Sequence, residues 1–203
     1  MAGPVGSGFL PDRPTSPPTV LPQAVKILVA GGFGVGKTTL VSAVSEIASF
    51  HTEEHLTSSS VGVDDTAGIE TKVTTTVAMD FGRITIHDRL DLFLFGTPGQ
   101  DRFWFMWDEL ATGALCAVVL VDTRRLSTSF AAIDYFERRK LPFVVAVNAF
   151  DGAKPYPTPT IRAALSLDTH VPVLLCDARS RESVKQVLVR TVEYVYALRL
   201  SSA

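Results

Sequence analysis

The sequence contains little of what would mark several common classes of protein. Only two of its 203 residues are cysteines, and 20% are charged. Two cysteines cannot form a disulfide framework, and the apolar neighbours of Cys116 and Cys176 predict reduced, buried thiols. The net charge of −2 at pH 7 argues against binding nucleic acid or anionic lipid by bulk electrostatics. We therefore expect no nucleic-acid partner.

Long apolar runs are lacking as well. No stretch approaches the roughly 18 apolar residues of a membrane span, and no basic start with an apolar run marks a secretory signal. Ala2 follows Met1, which excludes myristoylation, and Leu200 stands where prenylation needs a cysteine. We expect a cytoplasmic protein with no direct membrane anchor, recruited to a membrane only by a partner.

Proline is plentiful at one end of the chain. Six of the twelve prolines lie within the first 22 residues, among glycines and without apolar periodicity. This composition predicts a disordered, Pro-rich N-terminal arm over residues 1–23. Apolar residues make up 46% of the chain, which is ample for one core-forming domain over residues 24–203.

Beyond the arm, strand-like and helix-like segments alternate. Strand patterns cover residues 25–30, 77–86, 90–95, 114–121, 141–147 and 171–175. Helical patterns cover residues 37–50, 127–140 with Ser127 as the cap, a short segment from 158, and 182–200. The Val-rich runs are typical of parallel strands covered on both faces. The pattern predicts an α/β fold: a doubly wound, mainly parallel sheet of about six strands with helices on both faces.

The strongest motif stands between the first strand and the first helix. It matches the phosphate loop G-x-x-x-x-G-K-[ST], over Gly31, Gly32, Phe33, Gly34, Val35, Gly36, Lys37 and Thr38, with Thr39 next. Glycines let backbone N–H groups turn inward as an anion nest at a helix start. Lys37 would reach the β- and γ-phosphates as a catalytic residue, and the Thr38 hydroxyl would bind Mg²⁺.

A second motif concerns the base. Asn148 and Asp151 form N-x-x-D after a buried strand. The Asp carboxylate can accept from N1–H and the 2-amino group of guanine, a donor pair that adenine lacks. Asn148 would brace the loops, although Asn and Asp at this spacing are also common turn residues. The motif favours GTP and GDP as ligands.

With these motifs in place, residues 24–200 resemble the Ras-like small GTPases. Thr76-Val77-Ala78-Met79-Asp80-Phe81 resembles the end of switch I, which implies that Thr76 contacts the γ-phosphate and Mg²⁺; Thr74 and Thr75 are alternatives. Gly96-Thr97-Pro98-Gly99-Gln100 resembles switch II, which implies that the Gly99 N–H binds the γ-phosphate and that Gln100 orients the attacking water. Cys176-Asp177-Ala178-Arg179 is similar to the family's last base motif, which implies that the Ala178 N–H meets the guanine oxygen beside Arg179.

The chain departs from that family at several positions. Gly96 replaces the Asp that holds Mg²⁺ through water, and Asp122, at the end of the next strand, is not its sequence equivalent. Ala149 replaces a Lys that packs on the base, and Phe33 replaces a small residue. The residue before Thr76 is Thr75 rather than an arginine, so switch I lacks a catalytic arginine at that position. Arg102 in switch II is the nearest candidate for that role, and a surface ion pair is the alternative and commoner role. These departures predict slow turnover.

The motifs also narrow the resemblance. Gly-Thr-Pro-Gly-Gln with Asn-x-x-Asp is similar to bacterial Ras-like GTPases of the gliding-motility polarity type. Residues 75–83 and 96–103 most resemble the GTPase component of actinobacterial conservons. This resemblance implies a roadblock-type homodimer as the partner, with a sensor-kinase-like protein reached through it.

Five large apolar residues, 103–107, follow Gln100. On a helix five consecutive residues cover the whole circumference. We therefore predict that some of Phe103, Trp104 and Trp107 lie on the surface or against a partner, where such residues are enriched. A core helix unusually rich in aromatic residues is the alternative.

Together these observations favour a GTP-binding switch with weak intrinsic GTPase activity. The alternative is a non-catalytic nucleotide-binding adaptor that docks a partner through the aromatic segment. A P-loop ATP-dependent kinase is less well supported, because no lid-like arginine cluster is present and Asn148 and Asp151 would have no role.

Overall fold

The computed structural model describes residues 22–48, 50–57, 74–87, 89–99 and 105–201, with the backbone alone over 50–57 and 74–78. Over these residues, seven strands form one sheet in the order β2-β3-β4-β1-β5-β6-β7. The strands are β1 (Gln23–Ala30), β2 (Phe50–Thr57), β3 (Thr74–Ile86), β4 (Leu90–Gly96), β5 (Cys116–Val121), β6 (Phe143–Asn148) and β7 (Val173–Cys176). The helices are α1 (Lys37–Val44), α2 (Trp107–Ala111), α3 (Phe130–Arg139), α4 (Thr158–Ala164) and α5 (Arg181–Ser201).

Apolar residues on both faces of the sheet hold the helices in place. Along β1, Ile27 and Val29 belong to one buried cluster with α1 and α5. Leu28 and Ala30 belong to a second cluster, with residues of α2, α3 and α4. Successive strand residues point to opposite faces, so the two clusters lie on the two sides of the sheet. The predicted doubly wound α/β class is confirmed.

The pairing of the strands brings their carboxyl ends to one edge. β1 pairs in parallel with β4 and with β5, and β5-β6 and β6-β7 are also parallel. β3 runs antiparallel to β2 and β4. In such a sheet ligands bind beyond the carboxyl ends of the parallel strands, where the loops after β1, β5, β6 and β7 meet.

The predicted first helix is too long. Helix α1 ends at Val44, and by Phe50 the chain forms β2, paired from Phe50 opposite Phe81 to Thr57 opposite Thr74. Pairing along β3 overrides the local helical spacing, and β2 raises the strand number from about six to seven. The predicted cap is also wrong, because Ser127 lies in a 3₁₀ turn, Leu126–Ser129, and α3 begins only at Phe130.

Trp107 is a core residue and is not one of the surface residues predicted for the segment 103–107. Its side chain is 2% exposed, and its ring lies 5.1 Å from that of Tyr135 and 5.8 Å from that of Phe136. The indole Nε1 donates to the Pro98 carbonyl at 3.3 Å, which satisfies the one polar atom of the buried ring. Phe105 is 65% exposed. Phe103 and Trp104 lie outside the described residues.

Three smaller predictions concern the cysteines, the membrane and the arm. Cys116 and Cys176 are buried free thiols as predicted, and burial raises their pKa values to about 12 and about 11. Across the described ranges, none of the helices combines the length and the apolar character of a membrane span. The arm falls outside the description except for Pro22 and Gln23, and Gln23 opens β1.

Candidate nucleotide-binding site

The phosphate loop joins β1 to α1 in a backbone path that its glycines permit. Gly31, Gly34 and Gly36 have φ of 135°, 71° and 102°, which side chains disfavour. A Cβ on Gly31 would lie 2.3 Å from the Leu120 carbonyl oxygen. The loop is therefore packed against the sheet behind it, and a glycine-rich turn at a helix start is the kind of backbone that binds phosphate.

Lys37 places a buried amine beneath this loop. Its Nζ donates to the carbonyl oxygens of Gly31 and Gly32, both at 2.9 Å. Burial lowers the pKa of Lys37 to about 8, and the charge of Asp80 partly opposes that shift. A cation held in a desolvated place attracts a phosphate more strongly than the same cation in water.

Thr38 is held by a carboxylate from the neighbouring strand. Its Oγ1 donates to Oδ2 of Asp80 at 2.7 Å, and Asp80 is buried at 8% exposure. Because the hydroxyl donates its hydrogen to Asp80, the lone pairs of its oxygen can bind a hard cation such as Mg²⁺. Asp80 stands within the motif that resembles switch I, and the sequence alone predicted no role for it.

Gly99 lies directly against Lys37 and the phosphate loop. A Cβ on Gly99 would be 2.6 Å from Lys37 Nζ and 3.1 Å from the Phe33 backbone nitrogen. The structure thus brings Gly99 to the predicted phosphate site. Gln100 lies outside the described residues. The backbone of Thr76, in β3, pairs with that of His55 in β2, and the side chain of Thr76 is not described.

At the other end of the site, Asn148 joins three loops. Its Nδ2 donates to the Val35 carbonyl at 3.0 Å, and its Oδ1 accepts from the Ala178 N–H at 3.0 Å. The loops after β1, β6 and β7 are thereby tied through one buried carboxamide. The Ala178 N–H, expected to meet a base oxygen, is already donated to Asn148.

Asp151 faces solvent with Arg179 across it. The Asp151 side chain is 89% exposed, and its Oδ2 lies 3.1 Å from Arg179 Nη1. Arg179 Nε also donates to Asp177 Oδ1 at 3.0 Å, a side-chain hydrogen bond that lowers the pKa of Asp177. A base bound by Asp151 would have to share this carboxylate with Arg179 or displace it.

Arg125 is a neighbour of the phosphate loop that sequence reasoning missed. Its Nη2 donates to the Phe33 carbonyl at 3.3 Å and would lie 3.6 Å from a Cβ on Gly34. Asp122, which is fully buried, holds both Arg124 and Arg125. Two arginines after a buried Asp at a strand end were the available signal.

Two further predicted residues of this loop face outward. The side chain of Phe33 is 68% exposed, and Thr39 is exposed on α1. Their backbones belong to the loop and to the start of the helix, so any contribution of theirs to phosphate binding would come from the main chain.

We predict that Asn148→Ala destabilises the nucleotide-free protein. The substitution leaves the Val35 carbonyl and the Ala178 N–H buried without a partner, at a cost of about 2–4 kcal/mol in the free energy of unfolding. Urea denaturation measures the change. Asp151→Ala is the matched control: it removes an exposed ion pair and is expected to cost under about 1 kcal/mol. Equal losses for the two variants would contradict the bracing role.

The chain matches one family model over most of its length. The model for "conserved hypothetical ATP binding protein" covers residues 29–198. An uncharacterized protein of Methanocaldococcus jannaschii is 34% identical over 129 residues, which are 63% of this chain and 71% of that protein.

The solved structures that match include G domains. That of the T. maritima FeoB iron transporter is 20% identical with a TM-score of 0.60, over 85% of this chain and 99% of that one. The FeoB G domain from Methanococcus jannaschii is 14% identical with a TM-score of 0.58, over 86% and 99%. The T. maritima cytosolic domain in a GDP form is 19% identical with a TM-score of 0.61, over 86% and 64%. At these identities the likeness shows a common fold.

Proposed function

The chain belongs to the conserved hypothetical ATP-binding protein family, and on that premise we propose that it is a guanine-nucleotide switch with slow GTP hydrolysis. The observation that carries the proposal is the tie made by Asn148 between the phosphate loop and the two base loops. This tie holds the loop that carries the N-x-x-D motif against the phosphate loop, on a fold similar to that of G domains.

The phosphate end has the groups that the proposal needs. The N–H groups from Gly34 to Thr38 would cradle the phosphates, with Lys37 beneath them. Thr38 would hold Mg²⁺, which when bound neutralises charge on the phosphate oxygens. Gly99 would donate its N–H to the terminal phosphate, Thr76 would sense it, and Gln100 would orient water.

The base is where the family description and the site differ. The description names ATP. An Asp at position 151 favours guanine, because a carboxylate only accepts and adenine offers it no matching pair of donors. We therefore propose GTP and GDP as the ligands, with adenine nucleotides as the alternative.

The base is tested by the nucleotide that the protein carries. We expect denaturation of the purified full chain to release GDP or GTP, identified by ion-pair chromatography. We also expect nucleotide-stripped protein to bind fluorescent GDP in preference to ADP. Release of ADP or ATP alone, with preferential ADP binding, would contradict the guanine assignment.

Turnover of the same preparation separates the switch from the non-catalytic adaptor. We propose that a roadblock-type homodimer is the partner, in the manner of conservon GTPases, that a sensor-kinase-like protein acts through it, and that the complex is cytoplasmic. Single-turnover phosphate release by the wild type should then exceed that of Gln100→Leu in at least one of two conditions, the protein alone and the protein with the homodimer. Release equal to that of Gln100→Leu under both conditions would leave the adaptor as the function.

A further inference from the structure

At the phosphate end, a carboxylate on β3 lies opposite a position on β4 that has no side chain. Asp80 of β3 lies directly opposite Gly96 of β4 in their antiparallel register. Gly96 stands where the resemblance described above calls for the carboxylate that positions Mg²⁺. Residues paired in this way put their side chains on the same face of the sheet, within a few ångströms of each other. A carboxylate moved from one to the other therefore stays at the same place in the site.

The space beside Gly96 is filled by the side chain of Asp80. A Cβ built on Gly96 would lie 2.9 Å from Asp80 Cβ and 2.9 Å from Asp80 Oδ2. The Asp80 carboxyl group thus occupies the volume in which a side chain at position 96 would start. The absence of a side chain at Gly96 and the presence of Asp80 are two parts of one arrangement.

The hydrogen bond from Thr38 links this carboxylate to the predicted Mg²⁺ ligand. Thr38 Oγ1 donates to Asp80 Oδ2 at 2.7 Å, which directs the hydroxyl hydrogen to Asp80. The oxygen is then oriented to offer a lone pair, as a Mg²⁺ ligand must. Asp80 is buried, and its charge acts on the Lys37 amine, so this carboxylate belongs to the phosphate end of the site.

We propose that Asp80 positions Mg²⁺ in this protein by orienting the Thr38 hydroxyl, and that it takes the place of the carboxylate missing at Gly96. The inference rests on the proposed nucleotide function and deepens it. Carboxylates behind a metal ligand fix its orientation, and losing one typically lowers metal affinity about 10- to 100-fold. Asp80→Asn keeps the shape of the side chain and removes its charge.

The test measures metal binding directly, in the full chain with GDP bound, or with ADP if the wild type retains that nucleotide instead. Electron paramagnetic resonance of free Mn²⁺ gives the Mn²⁺ affinity of the complex, and release of fluorescent nucleotide is timed in Mg²⁺ and in EDTA. We expect Asp80→Asn to lower the Mn²⁺ affinity at least about tenfold and to release nucleotide in Mg²⁺ nearly as fast as in EDTA.

The matched control is Asp91→Asn. Asp91 accepts from Thr85 Oγ1 at 2.7 Å across the same two strands, at the end far from the phosphate loop. This variant should keep wild-type Mn²⁺ affinity. The double variant Asp80→Gly with Gly96→Asp returns the carboxylate to β4, and it should recover Mn²⁺ affinity lost in Asp80→Asn.

The outcomes separate the two proposals. If the wild type retains nucleotide and responds to EDTA, and Asp80→Asn is unchanged in both measurements, the role of Asp80 is contradicted. The proposed nucleotide function is then not contradicted. A wild type that binds neither GDP nor ADP contradicts the proposed function and this inference with it. If Asp80→Asn fails to fold, the double variant decides, because a double variant without Mn²⁺ affinity also contradicts the proposal.

Discussion

Lys37→Met is expected to weaken nucleotide binding strongly while leaving a protein that still folds. The buried amine donates two hydrogen bonds to loop carbonyls and is the cation beneath the phosphate nest. Its loss should weaken GDP binding by at least about a hundredfold, since desolvated charge-assisted contacts to phosphate are the strong ones. Titration with fluorescent GDP measures the effect.

The stability of the nucleotide-free protein gives the second half of this prediction. The pKa of Lys37 is lowered from 10.5 to about 8, so between these values the unfolded chain binds more protons than the folded one. Wild-type stability should therefore rise with pH across that window, and the charged lysine should cost up to about 3 kcal/mol near pH 7.

Lys37→Met should lack this rise. Urea unfolding near pH 7 and near pH 10 is expected to show wild-type stability rising between the two and the variant gaining less, on top of a pH-independent cost from the Gly31 and Gly32 carbonyls that lose their donor. A variant whose stability rises with pH as steeply as that of the wild type would contradict the account, because the buried amine would then not be the group that titrates.

Asp151→Asn is expected to exchange guanine for xanthine. Guanine presents two donors to position 151, and a carboxylate accepts both. Asn offers one acceptor and one donor, which matches the N1–H and C2 carbonyl of xanthine. We expect GDP affinity to fall, and xanthosine diphosphate affinity to rise, by at least about a hundredfold each, because a base bound at Asp151 would cover the carboxylate and a mismatched pair would then lack partners.

The control for this exchange is Asp177→Asn. Asp177 and Asp151 both bind Arg179, so both substitutions free the same guanidinium. Asp177→Asn should keep the preference for GDP. Competition between GDP and xanthosine diphosphate on the stripped protein measures the preference. Equal behaviour of the two variants would show that Arg179, rather than Asp151, decides the base.

The fold and the phosphate loop are predictable because they depend on local pattern. The Val-rich runs and the glycines before Lys37 each carry their own signal. The helical spacing within α5 does the same, and the structure buries the face that it predicts, which carries Val184, Val187, Leu188, Val192 and Val195. A strand such as β2, whose pairing is decided by β3, carries no comparable local signal.

The parts of the site that the sequence did not reveal depend on register and on sheet order. Asp80 and Gly96 are far apart in the chain and meet only because β3 and β4 pair at that position. Arg125 reaches the phosphate loop because β5 lies beside β1. Trp107 is buried because α2 packs on α3, which a linear aromatic run does not show.

The carboxamide of Asn148 has a consequence for how the site opens. One side chain satisfies a carbonyl of the phosphate loop and an N–H of the last base loop. Displacing either loop breaks one of these bonds and leaves a polar group to be satisfied elsewhere, so the two ends share one energetic cost of opening. Under the proposed function, opening at the phosphate end would therefore weaken the hold on the base, and opening at the base end would weaken the hold on the phosphates.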